Sequence, residues 1–292
     1  MNYIEDIVAT VIETTARKVL IQVPEGLKTR VVDIVNELQK HKIDSVVVAD
    51  PCYGSCDIPT EYAKKLGCDI ILHIGHNKFY KNIGSENMDH VLVLYYPWKI
   101  NVDIDYNAML ELSKIKEHRI ALFSVIQHLH ELDKIKDALE SMVREVSVKG
   151  QILGCWPNPD VDEDAVLIIT SGQFHARPFN KPVYIFNTET KKLVKLDMRS
   201  EKKRFANIEK AKDATIFGIL ISSKSGQFQN PDDIEKMLQA KGKKTVKIIM
   251  NEITQERLEG LKVDAFINTA CPRIVEDVFH RPIINAEDVE KI

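Results

Sequence analysis

The sequence predicts an α/β protein of three similar small domains, each with a four-stranded, mainly parallel sheet. Short apolar, β-branched runs alternate with amphipathic helical segments along all 292 residues, which is typical of parallel strands joined by helices. The order of these segments repeats at intervals of roughly one hundred residues, a period too long for a solenoid. We therefore expect domains over residues 1–104, 105–198 and 199–292.

The first predicted domain shows the whole plan. An amphipathic helix near residues 3–18 precedes a strand over residues 18–23. Pro24 then opens a helix, because proline is favoured at the first helical position, and a second strand occupies residues 45–49. The short helix PTEYAKKLG leads into a third strand over residues 69–74, which ends in the loop GHNKF, and HVLVLYYPW is the fourth strand.

The same order of segments returns twice. The second domain has the strands RIALFSV, REVSVKG, AVLIITSGQF and PVYIFN, with the helix LHELDKIKDALESMV after the first strand. The third domain has the strands ATIFGILIS, KTVKIIM, VDAFINTA and PIIN, with the helix PDDIEKMLQAKG after the first strand. The charged stretch ETKKLVKLDMRSEKKRF between these two domains is predicted to be a solvated linker.

Composition argues against several functional classes. The 40 basic and 43 acidic side chains are mixed throughout and give a net charge of -3, so no strong field favours direct contact with nucleic acid. The first residues, MNYIEDIVATVIETTARK, carry acids inside their apolar pattern and do not read as an export signal. No run approaches the ~20 apolar residues of a membrane span. We expect a cytoplasmic protein with no membrane contact.

Three of the five cysteines occupy Gly/Pro-punctuated loops at the ends of predicted strands, one in each domain: Cys56, Cys155 and Cys271. Open α/β folds place ligands at the carboxyl ends of their strands, so we expect the three thiols to meet at one site. Cys56 and Cys155 follow the second strand of their domains, whereas Cys271 follows the third. An odd number of cysteines also argues against a structural disulfide framework.

Thiolates favour soft metals and iron–sulfur clusters. Structural zinc sites usually draw on close CxxC pairs, and the sequence contains none. One thiol from each domain suggests a 4Fe–4S cluster held by three cysteines, with one iron open to a substrate. A three-thiol zinc site remains the alternative and predicts a colourless protein.

The phrases DPCYGSCD, GQILGC and NTACPRI, with SGQFH and SKSGQF, resemble the archaeal diphthamide biosynthesis enzymes, the 2-(3-amino-3-carboxypropyl)histidine synthase family, over essentially the whole chain. The resemblance implies a 4Fe–4S cluster held by Cys56, Cys155 and Cys271, at the centre of a pseudo-threefold arrangement of the three domains. It also implies a homodimer and a radical enzyme that lacks the usual CxxxCxxC loop. Cys52 and Cys56 form a CxxxC, but no third cysteine follows at that spacing.

The resemblance also implies an activity. Enzymes of this family transfer the 3-amino-3-carboxypropyl group of S-adenosylmethionine to C2 of a histidine imidazole on translation elongation factor 2. This is the first step of diphthamide biosynthesis, and it releases 5′-methylthioadenosine. An electron from the reduced cluster, supplied by an unidentified donor, starts the cleavage, and the partner protein is itself the substrate.

Polar residues in the same phrases are candidates for binding S-adenosylmethionine. Arg273 could pair with its carboxylate, because guanidinium is a planar double donor; an arginine on the surface at a helix start is the alternative. The other pocket candidates lie in TSGQFH and SKSGQF, where tight turns also explain the glycines: Ser171, Gly172, Gln173, His175 and Gln227.

The remaining cysteines and the paired histidines have less specific interpretations. Cys68 begins a buried strand and is predicted to be a core thiol. Cys52 is interpreted as a supporting or adventitious thiol beside Cys56. The paired histidines lack the i, i+4 spacing of a zinc protease helix and are predicted to be solvated or structural: His73, His76, His128 and His130.

Two other functions remain open on the sequence. Quinolinate synthase shares the plan of three α/β domains with one cluster cysteine from each, but it condenses small metabolites. A noncatalytic subunit that keeps a cluster for electron relay is the second. A product formed from elongation factor would indicate the diphthamide enzyme. A product formed from dihydroxyacetone phosphate and iminoaspartate would indicate quinolinate synthase.

Overall fold

A computed structural model describes residues 3–78, 87–88, 91–197 and 199–292. It confirms the α/β class with three mostly parallel sheets. The chain divides into two compact units, Met1–Ile100 and Asn101–Ile292, of which the first contains one sheet and the second contains two. The pseudo-threefold arrangement and the predicted domain boundaries stay predictions. The end of the predicted GHNKF loop and the start of the predicted HVLVLYYPW strand lie outside the described residues.

The sheet of the Met1–Ile100 unit has the strand order β2-β1-β3-β5-β4, with all pairs parallel except β4 with β5. A short 3-10 turn over Glu25–Arg30 stands where the sequence predicted the helix start at Pro24, and the α-helix begins at Val31. The elements in chain order are α1 (Tyr3–Glu13), β1 (Lys18–Gln22), α2 (Val31–Lys40), β2 (Asp44–Val48), α3 (Thr60–Leu66), β3 (Ile70–Ile74), β4 (Asn87–Met88) and β5 (Val91–Tyr96).

The first sheet of the Asn101–Ile292 unit has the order β10-β9-β8-β6-β7, in which only β10 runs antiparallel to its neighbour. A 3-10 turn over Ile126–Glu131 again precedes the helix that follows the first strand. Its elements are α4 (Tyr106–Leu112), β6 (Arg119–Ser124), α5 (Leu132–Glu140), β7 (Glu145–Gln151), β8 (Ala165–Thr170), β9 (Val183–Asn187) and β10 (Lys192–Lys195).

The second sheet of this unit has the order β12-β11-β13-β14 and is entirely parallel. Its elements are α6 (Arg199–Lys212), β11 (Ile216–Ser222), α7 (Asp232–Ala240), β12 (Lys244–Met250), α8 (Gln255–Leu258), β13 (Ala265–Asn268) and β14 (Ile283–Asn285). In all three sheets the first predicted strand lies between the second and the third, and the fourth lies outside the third. The predicted repeat of strands is therefore confirmed.

Burial explains why the central strands read as unbroken apolar runs. β3 and β8 are buried at every residue, as expected for parallel strands covered on both faces. Each sheet has helices packed against it, and apolar clusters lie on its two faces. In the described ranges, no helix combines the length and apolar character that crossing a membrane requires.

The predicted linker ETKKLVKLDMRSEKKRF is wrong, because this stretch forms secondary structure. β10 pairs with β9 as an antiparallel edge strand, with Leu193 opposite Phe186. α6 buries Ile208 and Ala211 in the core of its sheet. The many lysines and arginines made the apolar face of α6 hard to recognise in the sequence. Long basic side chains remain solvated while the helix packs through only a few residues.

Candidate functional site

Two of the three predicted cysteine ligands come together in the Asn101–Ile292 unit. Cys155 lies on the loop after β7, and Cys271 lies on the loop after β13; both are partly buried. Burial raises the pKa of the Cys271 thiol, a backbone hydrogen bond from Arg273 opposes that rise, and a charge on Cys155 adds to it. Thiols from two different sheets therefore lie within electrostatic range of each other.

The glycine before Cys155 permits a close approach between two loops. A Cβ atom on Gly154 would lie 2.3 Å from the carbonyl oxygen of Phe174 and 3.3 Å from Cα of His175. The Gly154 N–H also donates to Nδ1 of His175, at 3.4 Å. The loop after β7 therefore packs directly on the loop after β8, and only glycine fits at the contact.

Arg273 connects the Cys271 loop to the loop after β8. Its Nη1 donates to the carbonyl oxygen of Ala176 at 3.5 Å, and its guanidinium carbon lies 5.4 Å from the ring centre of Phe174. It also forms an ion pair with Glu276. Only 13% of the side chain is exposed, so the surface alternative for this arginine is wrong. Burial lowers the pKa of Arg273 and raises that of Glu276.

Local hydrogen bonds shape the TSGQFH loop after β8. The Gly172 N–H donates to Oγ1 of Thr170 at 3.3 Å, and the carbonyl of Gln173 accepts from the Ala176 N–H at 3.1 Å. The carbonyl of Ser171 accepts from the side chain of Asn187 at 2.7 Å. These contacts hold the loop that carries His175 beside Gly154.

Gln227 lies on the loop after β11, in the second sheet of the same unit. Its side chain is buried and accepts a hydrogen bond from Oγ of Ser222 at 3.3 Å. The backbone N–H of Gln227 donates to the carbonyl oxygen of Lys224 at 3.0 Å. Of the candidates for binding S-adenosylmethionine, Arg273 and His175 contact the loops of the cysteine pair, and binding by any of them stays a prediction.

Sequence reasoning missed the asparagines that hold the Cys271 loop. The side-chain amide of Asn268 donates to the carbonyl oxygen of Cys271 and to Oδ1 of Asn285, both at 2.8 Å. The Asn285 amide donates to the carbonyl oxygen of Pro272 at 3.1 Å. Both asparagines are buried at the ends of adjacent parallel strands. An asparagine ending each of two apolar strands, in FIN and IIN, was the available signal.

Cys56 lies in the other compact unit, on the loop after β2. Side chains from neighbouring elements hold this loop. Nε2 of Gln22, at the end of β1, donates to the carbonyl oxygen of Asp57 at 2.7 Å, and the hydroxyl of Tyr62 donates to Asp50 at 2.7 Å. The assignment of all three cysteines to one cluster stays a prediction.

The paired histidines were predicted to be solvated or structural, and burial distinguishes these two cases. His73 is completely buried in β3, and burial holds its pKa well below the ordinary value. His76 is mostly buried beside it, and burial lowers its pKa to about 4. The two rings lie against the loop of Cys52. Cys68 is in the core, as predicted, and His128 is also buried.

A protein-family model described as "Putative diphthamide synthesis protein" matches residues 23–292. The chain is 32% identical to the 2-(3-amino-3-carboxypropyl)histidine synthase of Pyrococcus horikoshii, over 94% of this chain and 85% of that protein. It is 26% identical to subunit 1 of the synthase from Caenorhabditis elegans, over 93% of this chain and 74% of that subunit.

Solved structures give the same result. The crystal structure of Dph2 from Pyrococcus horikoshii matches with a TM-score of 0.88 and 30% identity, over 98% of this chain and 89% of that one. A second structure of the same protein, with a 4Fe-4S cluster, matches with a TM-score of 0.87 and 29% identity, over the same shares of the two chains. The chain belongs to the diphthamide synthesis family.

Proposed function

We propose that this chain transfers the 3-amino-3-carboxypropyl group of S-adenosylmethionine to C2 of a histidine imidazole on translation elongation factor 2. The observation that carries the proposal is the approach of Cys155 and Cys271 from two different sheets. Both thiols stand in the phrases by which the chain resembles the synthases, and a named synthase is 32% identical over 94% of the chain. A 4Fe–4S cluster is the proposed cofactor.

The chemistry of the donor set fits such a cluster. Cys155 and Cys271 are partly buried, and thiolates are the usual protein ligands of iron–sulfur clusters. The N–H of Arg273 already bonds to the sulfur of Cys271, and such bonds tune clusters. Cys56 would be the third ligand. When bound and reduced, the cluster supplies the electron that cleaves the sulfonium.

The residues around the cysteine pair would bind and orient S-adenosylmethionine. Arg273 is a mostly buried cation whose Nε has no hydrogen-bond partner among the described residues, and its guanidinium is the group that would pair with a carboxylate. Phe174 under the guanidinium restricts its rotation. Fixing the methionine end selects which carbon–sulfur bond lies nearest the cluster, so orientation decides the product.

An anaerobic assay tests the proposal. The reduced, iron-loaded chain is incubated with carboxyl-labelled S-adenosylmethionine and archaeal elongation factor 2. We expect label on the elongation factor and an equal amount of 5′-methylthioadenosine. An elongation factor with its acceptor histidine replaced is the control and should remain unlabelled.

Two results would contradict the proposal. A cluster-loaded, reduced chain that leaves S-adenosylmethionine intact would favour the electron-relay alternative. Condensation of dihydroxyacetone phosphate with iminoaspartate would favour a quinolinate synthase. The homodimer and the cytoplasmic location belong to the same proposal, and gel filtration of the iron-loaded chain tests the dimer.

A further inference from the structure

A second group of soft ligands lies in the Met1–Ile100 unit. Cys52, His73 and His76 each offer one ligand atom, and these three atoms lie within 4.8 Å of one another. Cys52 is on the loop after β2, His73 is in β3, and His76 is two residues beyond the end of that strand.

The hydrogen bonds of Gln22 fix which nitrogen of His73 is available. Nε2 of Gln22 donates to the carbonyl oxygen of Asp57 at 2.7 Å, which turns Oε1 of Gln22 toward His73. Nδ1 of His73 lies 2.7 Å from that oxygen and must carry the proton. Nε2 of His73 therefore has a lone pair, in the arrangement by which a supporting hydrogen bond orients a metal-binding histidine.

The lone pair of His73 points at the other ligands. Its Nε2 lies 3.0 Å from Nδ1 of His76. Two nitrogens bound to one tetrahedral zinc ion stand roughly 3.3 Å apart, because zinc–nitrogen bonds are about 2.0–2.1 Å long. Burial lowers the pKa of both histidines, so both rings are neutral near pH 7, as metal binding requires.

We propose that Cys52, His73 and His76 form a binding site for one divalent transition-metal ion of the zinc type. Thiolate sulfur and imidazole nitrogen are the usual protein ligands of zinc, and a zinc site with three protein ligands holds water in the fourth position. Binding exchanges the thiol proton of Cys52 for the metal. Because Nε2 of His73 accepts the hydrogen bond between the two rings, Nδ1 of His76 carries its proton. On metal binding that proton moves to Nε2 of His76, and metal–nitrogen bonds replace the hydrogen bond. One proton leaves for each metal bound at a pH where the thiol is protonated.

The site has a structural consequence for the proposed cluster. Cys52 precedes Cys56 on the same loop, so a metal held by Cys52 would attach this loop to the end of β3. The rest of the loop is held by Gln22 and Tyr62. The metal would thus fix the position of Cys56. This consequence rests on the proposed function, whereas the metal site itself does not.

Cobalt titration tests the site separately from the cluster. The full-length chain carrying Cys56→Ser, Cys155→Ser and Cys271→Ser cannot use those thiols, and Co²⁺ reports tetrahedral thiolate coordination by its visible and charge-transfer absorption. We expect one Co²⁺ per chain with both features, displaced by Zn²⁺. Circular dichroism confirms that each variant is folded.

Further substitutions in that background identify the ligands. Altering a supporting hydrogen bond typically weakens metal binding about 10–100-fold, so adding Cys52→Ser or His76→Asn, which removes a ligand, should weaken it by more than about 100-fold. Cys68→Ser, which changes a core thiol of the same unit, should have no effect. The proposal is overturned if the parent shows no tetrahedral cobalt, or if the absorption survives both Cys52→Ser and His76→Asn.

Discussion

The guanidinium carbon of Arg273 lies 5.4 Å from the centre of the Phe174 ring. Arg273 belongs to the loop of Cys271, after β13, and Phe174 to the loop after β8. The carbonyl oxygen of Phe174 is also the atom that a side chain at Gly154 would strike. One phenylalanine therefore contacts the loops of both Cys155 and Cys271.

Arg273→Lys should impair the binding of S-adenosylmethionine more than the rate of its cleavage. Lysine keeps the charge but lacks the planar double donor. A hydrogen bond to a charged group contributes about 1.5–3 kcal/mol, so we expect KM for S-adenosylmethionine to rise at least about tenfold, with a smaller change in kcat. Initial rates at varied S-adenosylmethionine concentration measure both.

Arg281→Lys is the matched control for this substitution. Arg281 also lies over a phenylalanine ring, 5.9 Å from the centre of Phe266, but it stands at the opposite end of the β13–β14 connection from Cys271, next to β14. Its substitution should leave KM unchanged. Equal values of KM for both variants and the wild type would show that Arg273 does not contact the substrate.

Gly154→Ala should destabilise the protein and reduce its iron content. The new methyl group would lie 2.3 Å from a backbone oxygen, so one of the two loops must move. Overpacking of this kind lowers the free energy of unfolding by about 1–3 kcal/mol. One of the two loops carries Cys155 and the other carries His175, so a movement of either changes the surroundings of the cysteine. Thermal unfolding and iron per chain after anaerobic reconstitution measure the two effects.

Gly26→Ala controls for the loss of a glycine. Its added Cβ would meet no atom within 4 Å, so Tm and iron content should match the wild type. A Gly154→Ala protein with wild-type Tm and iron would show that the two loops separate at little cost.

Single replacement of Cys56, Cys155 or Cys271 by serine should prevent stable cluster binding. The wild-type chain should contain nearly four irons on the 4Fe–4S stoichiometry, and each variant far fewer, with no transfer to the elongation factor. Cys68→Ser should match the wild type, because Cys68 lies in the core. Full iron content in any one of the three variants would remove that cysteine from the proposed ligand set.

Asp288 should make the stability of the chain depend on acid pH. Burial alone would raise its pKa, but hydrogen bonds from Arg204 and Lys291 outweigh burial and lower it. A lowered folded pKa gives stability that is present above the unfolded value of about 3.9 and is lost as the pH falls through the folded value. Urea unfolding between pH 3 and 7, buffered at about 0.1 M ionic strength, measures the effect.

Asp288→Asn should lower the free energy of unfolding by about 2–3 kcal/mol at pH 7. This is less than the loss expected when a fully buried ion pair is broken, because Arg204 is partly exposed. The difference from the wild type should narrow as the pH falls below about 4. Asp233→Asn removes a carboxylate that is 90% exposed and should change little. A constant difference at all pH values would show that the charge of Asp288 is unimportant.

The strand plan could be predicted because its signal is local. The apolar runs of β3 and β8 are buried throughout, and parallel strands covered on both faces leave this mark in the sequence. The edge strand β10 left no such mark, since three of its four residues are exposed. Its pairing with β9 depends on a partner that its own residues do not specify.

The candidate site could be predicted only in part. The cysteine phrases, through the family resemblance, indicated Cys155 and Cys271, which the structure brings within range of each other. Arg273 contacts Phe174 and also Ala176, which lies 97 positions away in the sequence. Spacing could not reveal these contacts. The sequence left open whether His73 is solvated or structural, because its partner Gln22 stands on a different strand, far away in the sequence.

The threefold recurrence of one strand order has a consequence for how such a protein can change. Three separate copies of one small subunit would have to carry the same side chains at the same positions. Here a thiol follows the second strand in two of the sheets and the third strand in the other, while the sheet of the Met1–Ile100 unit has His73 and His76 at the end of its third strand. Because the three sheets belong to one polypeptide, the side chains of one sheet can differ from those of the other two.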